Sequence, residues 1–357
     1  MPRVIKYLGS KRRLVPILGG IATATGATTA VDLFTGTTRV AQEFKRRGIN
    51  TTATDTATYS AVLGACYLAT DAASVDMGAL DSEIQRLNAL AGKAGYFTKT
   101  FCESARFFHP KNGMRIDAIR DELENMRDHP HRSILLTSLM LAADRVDSTT
   151  GVQMAYLKQW APRAHNDLEL RRPELIAGPG SVLQGDAMAT IDKLPHTDLM
   201  YLDPPYNQHR YFTNYHIWET LVRWDAPEHY GVACKRLDSR EDATKSVFNR
   251  KREMPQALRS LIARARADVL VVSYNDEAWI APDEMVSALR DAGYADIRVA
   301  GFDSKRYVGA QIGIHSPSGE KVGAVKRLRN TEYVFVAGPT DKVDAAMAAM
   351  RGQSSAP

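Results

Sequence analysis

Cysteine is scarce in this chain: Cys66, Cys102 and Cys234 stand far apart among 357 residues. Their spacing matches neither a zinc site nor a disulfide framework, so they are expected to be buried thiols in a reducing compartment, and no metal is expected. Long hydrophobic runs are missing as well. No window approaches the roughly 18 apolar residues of a membrane span, and the basic start "MPRVIKYLGSKRRL" lacks the apolar stretch of a secretory signal. A cytoplasmic protein is therefore expected. Nor does one sign of charge dominate: 46 Lys and Arg against 41 Asp and Glu leave a net +5, which permits a polyanionic partner without requiring one. Also absent is the G-x-G-x-x-G spacing of a dinucleotide site, which sets NAD aside.

What is present is ordinary globular material, 44% hydrophobic and 24% charged, with length for about two domains. "TTAVDLF", "RVAQEFKRRG" and "INTTATD" read as strand, amphipathic helix and strand, one βαβ unit. From about Ser74 to Gly180 only helical periods appear, as in "LDSEIQRLNAL", "MRIDAIRDELENM" and "SILLTSLMLAADRV". Strands then resume with "DLMYLD", "DVLVVSYN", "DIRVAGF" and "TEYVFVAG", separated by the helices "PQALRSLIARARA" and "PDEMVSALRDAG". The expected architecture is an α/β sheet split in sequence by an all-helical insertion. Residues 1–75 and 181–340 form its two parts, 76–180 the insertion and 341–357 a tail. The stretch "KRLDSREDATKSVFNRKR", 235–252, is basic with almost nothing to bury, and reads as a mobile loop.

Three acids stand at strand ends. Asp32 closes the first strand ahead of "TGTTR", whose Gly36 lets backbone pass close to a ligand. Asp55 closes the second strand about twenty residues later, where a carboxylate can accept from a ribose diol. Together they point to a nucleoside-containing cofactor. Asp203 closes "MYLD" and is followed by Pro204, Pro205 and Tyr206. Asp-Pro-Pro is also a plain turn signal. In the same crevice, however, the Asp203 carboxylate and the Pro204 carbonyl are two acceptors, and Tyr206 is a ring face. That combination suits the exocyclic amine of a flipped nucleobase.

In order and spacing, "KYLGSKRRL", "DLFTGT" and "DPPY" resemble the N-terminal, cofactor and catalytic motifs of Dam-like bacterial DNA adenine-N6 methyltransferases of the alpha arrangement. The acid of "LQGDA", the "YHIWETL" helix and the helical insertion extend the likeness over most of the chain. The resemblance implies a Rossmann-like, seven-stranded methyltransferase sheet with a helical target-recognition domain. It implies S-adenosylmethionine as cofactor, with Asp32, Phe34 and Gly36 at its methionine half, Asp55 at its ribose, Asp186 near its adenine, and Tyr7, Gly9 and Lys11 closing over it. Thr38 departs from the pattern, standing where the family commonly has a second glycine. The implied reaction is direct, in-line methyl transfer to adenine N6 in double-stranded DNA, with Asp203, Pro204, Pro205 and Tyr206 as the catalytic motif.

Candidate DNA contacts are side chains of the types that hold phosphates and read base edges. In the insertion these are Lys111, Arg115, Thr149, Thr150, Gly151, Gln153, Lys158, Arg163, Arg171 and Arg172; in the basic loop they are Arg250, Lys251 and Arg252. A cognate restriction endonuclease is a compatible partner and not a required one, and monomer and dimer both stay open. Competing readings are an RNA adenine methyltransferase and a non-catalytic DNA-binding protein. Glutamine and cytosine methylation are disfavoured by the acid at Asp203.

Overall fold

The computed structural model describes residues 4–9, 11–205, 210–305 and 329–354. Its strands are β1 (Thr29–Asp32), β2 (Asn50–Asp55), β3 (Gly180–Gln184), β4 (Thr197–Leu202), a short hairpin of β5 (His229–Tyr230) and β6 (Lys235–Arg236), β7 (Ala267–Asn275), β8 (Asp296–Lys305) and β9 (Arg329–Gly338). Seven of them form one sheet in the order β3-β2-β1-β4-β7-β9-β8. The first five are mutually parallel, and β9 runs antiparallel between β7 and β8. The chain starts in the middle and runs outward first one way and then the other. Strand order therefore reverses between β1 and β4, where open sheets form a crevice at the carboxyl ends of their strands.

The central strands are apolar on both faces because helices cover both. Alternation along β4 divides the core. Leu199 and Tyr201 pack with α1 (Val15–Ala24), α2 (Arg39–Arg46) and the last helix, α13 (Thr340–Ser354). Met200 and Leu202 pack with α8 (Ala187–Thr190), α11 (Met254–Arg264) and α12 (Pro282–Asp291). A third core joins the helical stretch to α3 (Thr58–Gly64) and α10 (His216–Arg223), the latter preceded by the single turn α9 (Tyr211–Asn214). That stretch contains α4 (Met77–Asn88), the single turn α5 (Tyr96–Thr98), α6 (Pro110–Asn125) and α7 (Arg132–Val146). Leu80, Phe101, Ile116 and Leu139 share this core with Leu63 and Trp218, so the insertion is fused to the sheet's flank.

Among the elements that escaped the sequence reading are α1, α3, the β5–β6 hairpin and the edge strand β3 with its largely exposed side chains. The stretch 235–252 corrects the expectation of a mobile loop. It begins with β6 and continues as a chain of short 3₁₀ turns, anchored by two side chains. Arg236 is 1% exposed and bonds bidentately to Asp225, at 2.7 Å twice, while Phe248 is fully buried against Phe34. The tail is likewise part of the core, since Val343, Ala346 and Met350 bury against α1's side of the sheet.

Candidate active site

The turn after β1 is sewn to the end of β2. Gly36 N donates to Asp55 Oδ2 at 2.8 Å, Ala57 N donates to Oδ1 at 3.0 Å, and Thr35 N reaches Thr54 O at 3.0 Å. Gly36 has φ +50°, and a Cβ there would meet the Tyr7 ring at 3.1 Å, so the turn passes directly beneath the N-terminal segment. Thr38 takes the left-handed conformation, φ 61°, which a β-branched side chain seldom adopts. It is fully buried, and its Oγ1 accepts from Gln42 Nε2 at 2.8 Å. Position 38 thus keeps the left-handed backbone of a glycine while carrying a threonine.

Asp32 lies behind this turn, 1% exposed, with Oδ2 accepting from Thr35 Oγ1 at 2.9 Å. Its Oδ1 has no hydrogen-bond partner among the described residues. Burial pushes its carboxyl up to about 7, and the charge of Asp203 adds to the effect. Asp55 is also pushed up by burial, while its backbone donors hold it down.

At the end of β4, Asp203 Oδ1 receives Ser273 Oγ at 3.2 Å and lies 3.0 Å from Lys11 Nζ. Ser273 in turn shares a 2.6 Å hydrogen bond with the Tyr201 hydroxyl, and Lys11 pairs with Glu332 of β9. Lys11, expected over the cofactor, is instead engaged with two carboxylates. Burial lifts Asp203 to about 6, with the Lys11 charge pulling it down and Glu332 pushing it up.

Between Asp55 and Asp203 lies a cavity of about 340 Å³, within the range of small-molecule sites. Tyr7, Gly9, Phe34, Gly36, Asp55, Asp186, Asp203 and Pro205 all line it. Asp186 caps α8, accepting from Met188 N at 2.9 Å. Tyr7 stacks on both Tyr211 and Tyr215, with ring centroids 5.2 and 4.5 Å away, the three rings forming one cluster, and Leu8 N donates to the Tyr215 hydroxyl. This stacking holds the N-terminal segment over the crevice. Pro204 is buried beside Asp203; Tyr206 lies outside the described residues.

Sequence reasoning missed three parts of the wall. Glu219 of α10 lines the cavity and accepts from Thr58 N at 2.9 Å. Arg210 and Tyr211 follow the proline turn, and Lys245, Ser246 and Asn249 bring the 235–252 stretch to the cavity's edge.

The ordered acids, glycine turn and Asp-Pro-Pro corner sit in a stretch that a sequence profile of D12 class N6 adenine-specific DNA methyltransferases matches over residues 7–287. The chain belongs to this family. Among its relatives, the type II methyltransferase M.NlaIII of Neisseria lactamica is 28% identical, over 82% of this chain and 90% of its own. M.FokI, a type II methyltransferase of Planomicrobium okeanokoites, is 33% identical over 52% of this chain. The modification methylase StsI of Streptococcus sanguinis is 27% identical over 82% of this chain. The chain spans 29% of M.FokI and 48% of StsI.

The basic and polar residues expected at DNA are scattered over this D12 methyltransferase in different roles. Several are used inside the fold, which corrects their reading as base or phosphate contacts. Gln153 is 3% exposed, its Oε1 accepts from Ile217 N at 2.8 Å, and its carbonyl bonds His216. Arg115 closes on the carbonyls of Leu90 and Asn88, and Arg163 on Asp147 and the Thr149 carbonyl. Thr149 is buried against Asp147. Lys111 pairs with Asp167, Arg171 with Glu169, Arg172 with Asp81 and Arg250 with Glu253. Thr150, Lys158, Lys251 and Arg252 are exposed, and Gly151, at φ +105°, forms the turn beside Thr150. No helix among the described residues is long and apolar enough to cross a membrane.

Proposed function

We propose that this D12-class chain transfers the methyl group of S-adenosylmethionine to the N6 amine of an adenine flipped out of double-stranded DNA. The observation that carries this reading is Asp203. One of its oxygens is bound from behind, and its carboxyl lines the same cavity as the Gly36 turn and Asp55.

The residues present fit the cofactor. Gly36 and Gly9 give a backbone cradle with no side chain in the way, both at positive φ. Asp55 and Asp186, which line the cavity, are acceptors suited to a ribose diol and an adenine amine, and Asp32, behind the Gly36 turn with its Oδ1 unpartnered among the described residues, is suited to a cationic methionine group. When bound, S-adenosylmethionine supplies an electrophilic methyl carbon on a sulfonium. The protein's part is to place and polarise the amine. Asp203 Oδ2 and the Pro204 carbonyl accept its two hydrogens, which raises lone-pair density on the nitrogen and fixes its approach. Asp203, near 6, is matched to take the proton that the nitrogen sheds. Tyr206 stacks on the base, a role carried by the sequence alone.

Exposed Thr150, Lys158, Lys251 and Arg252 are the phosphate contacts in this reading. Tritiated cofactor offered with duplex DNA, single-stranded DNA and RNA tests it. Label in duplex DNA supports the proposal. Label confined to RNA makes the chain an RNA methyltransferase, and duplex binding without label makes it a DNA-binding protein.

A further inference from the structure

Lys11, Asp203 and Glu332 come from the N-terminal segment, β4 and β9, and the fold alone brings them together. Because β9 is antiparallel, it presents its amino end where the parallel strands present their carboxyl ends, which puts Glu332, opposite Asn275, at the crevice. The Lys11 side chain is 8% exposed and that of Glu332 10%. Ion pairs this buried are weak stabilisers, and their best-attested use is to fix one arrangement among several.

We propose that Lys11 and Glu332 are positioning residues for methyl transfer: Glu332 anchors the Lys11 ammonium, which with Ser273 captures Asp203 Oδ1 and leaves Oδ2 as the acceptor for the target amine. The inference rests on the methyltransferase reading above. Oδ1 takes both donors, at 3.0 and 3.2 Å, while Oδ2 has no hydrogen bond among the described residues. A carboxylate with both oxygens free could rotate and offer either; this one is committed. The relay also sets charge. Around Asp203 stand Glu332 from β9, Tyr201 from β4, Tyr211 after the proline turn and Asp32 from β1, all neutral or negative, with Arg210 on the wall of the same cavity. Lys11 is the cation that keeps Asp203 an acceptor near neutral pH. Glu332 fixes where that cation stands.

The test follows single-turnover methylation of duplex DNA from about pH 5.5 to about 9 in wild type, Lys11→Met, Lys11→Arg and Glu332→Gln. Cofactor affinity is measured alongside by calorimetry. In Lys11→Met the acidic limb should move up by about a unit or more, so the rate near pH 7 falls roughly tenfold and recovers as pH rises. Lys11→Arg should restore the wild-type limb, and Glu332→Gln should move it down while lowering the maximal rate. Cofactor affinity should stay within about threefold in all of them. A Lys11→Met limb that coincides with wild type overturns the relay, as does a loss of cofactor affinity with the rate at saturation unchanged. If wild type methylates no DNA, the functional reading fails, but the relay is still decided by carbon-13 NMR of labelled aspartate. The Asp203 titration must rise in Lys11→Met and fall in Glu332→Gln, and an unmoved midpoint in both rejects it. Should Lys11→Met not fold, Glu332→Gln alone carries the same decision.

Discussion

Asp32→Asn separates the cofactor site's electrostatics from its shape. The native carboxyl is pushed up to about 7 by burial, and the substitution keeps the acceptor for Thr35 while removing the ionisation. A carboxyl whose folded pKa exceeds its unfolded value holds its proton more tightly when folded. Its stabilising contribution is therefore complete below about pH 4 and is lost as pH rises through about 7. From about pH 8 down to about 5.5, wild type should gain about 2 kcal/mol of unfolding free energy relative to the variant. Near pH 8 the charged Asp32 disfavours the fold by up to about 4 kcal/mol. The new amide N–H, facing the position where Oδ1 has no partner, takes back about 1 to 3 of this. The variant should thus be the more stable protein near pH 8 and should lose that advantage in acid. Saturating S-adenosylmethionine, being cationic, should favour the ionised Asp32, flatten the wild-type pH dependence and stabilise the variant far less. Urea unfolding at several pH values, with and without cofactor, gives all of these quantities. If wild type and variant show parallel pH dependence, Asp32 is not a buried, proton-holding cofactor ligand.

Asp55→Ala removes hydrogen bonds to a charged group worth about 1.5 to 3 kcal/mol and should weaken S-adenosylmethionine binding by one to two orders of magnitude in a calorimetric titration. Gly36→Ala introduces left-handed strain of about 1 to 2 kcal/mol and a Cβ 3.1 Å from the Tyr7 ring, so melting temperature and cofactor affinity should both fall. Gly26→Ala, at φ +69° with nothing within 4 Å, should lower only the melting temperature. Replacing Arg250, Lys251 and Arg252 with Ala should leave cofactor affinity unchanged and make the salt dependence of DNA binding shallower by about 0.9 for each phosphate these side chains neutralise. An unchanged slope means the segment does not touch DNA.

The sheet was legible wherever burial forces a pattern. "DLMYLD" and "DVLVVSYN" are apolar on both faces because helices lie on both sides, and no surface loop needs such runs. The edge strand β3 was hidden because Ser181, Leu183 and Gln184 face solvent and carry no alternation. Helix α1 was hidden by its glycines; Gly19 packs so closely on α2 that a Cβ would lie 2.4 Å from Arg47 Nε. At the site, acids at successive strand ends were readable because parallel strands deliver their ends to one crevice. The Lys11–Asp203–Glu332 cluster was not, since no local spacing links three residues so far apart in the chain. Basic composition misled for a related reason. Sequence cannot tell an arginine facing water from one such as Arg115 that closes on carbonyls, nor see that Phe248 and Arg236 pin a charged stretch in place.

Whether Asp203 acts on an adenine amine in DNA is tested most directly by incubating unmethylated duplex DNA with wild type and Asp203→Ala in the presence of methyl-labelled S-adenosylmethionine. The DNA is then digested to nucleosides and the labelled species identified by mass. Wild type should yield N6-methyladenosine as its deoxynucleoside, and the variant none, while the variant's cofactor affinity stays within a few-fold. Label on cytosine, or label on adenine at undiminished rate from Asp203→Ala, would contradict the assignment.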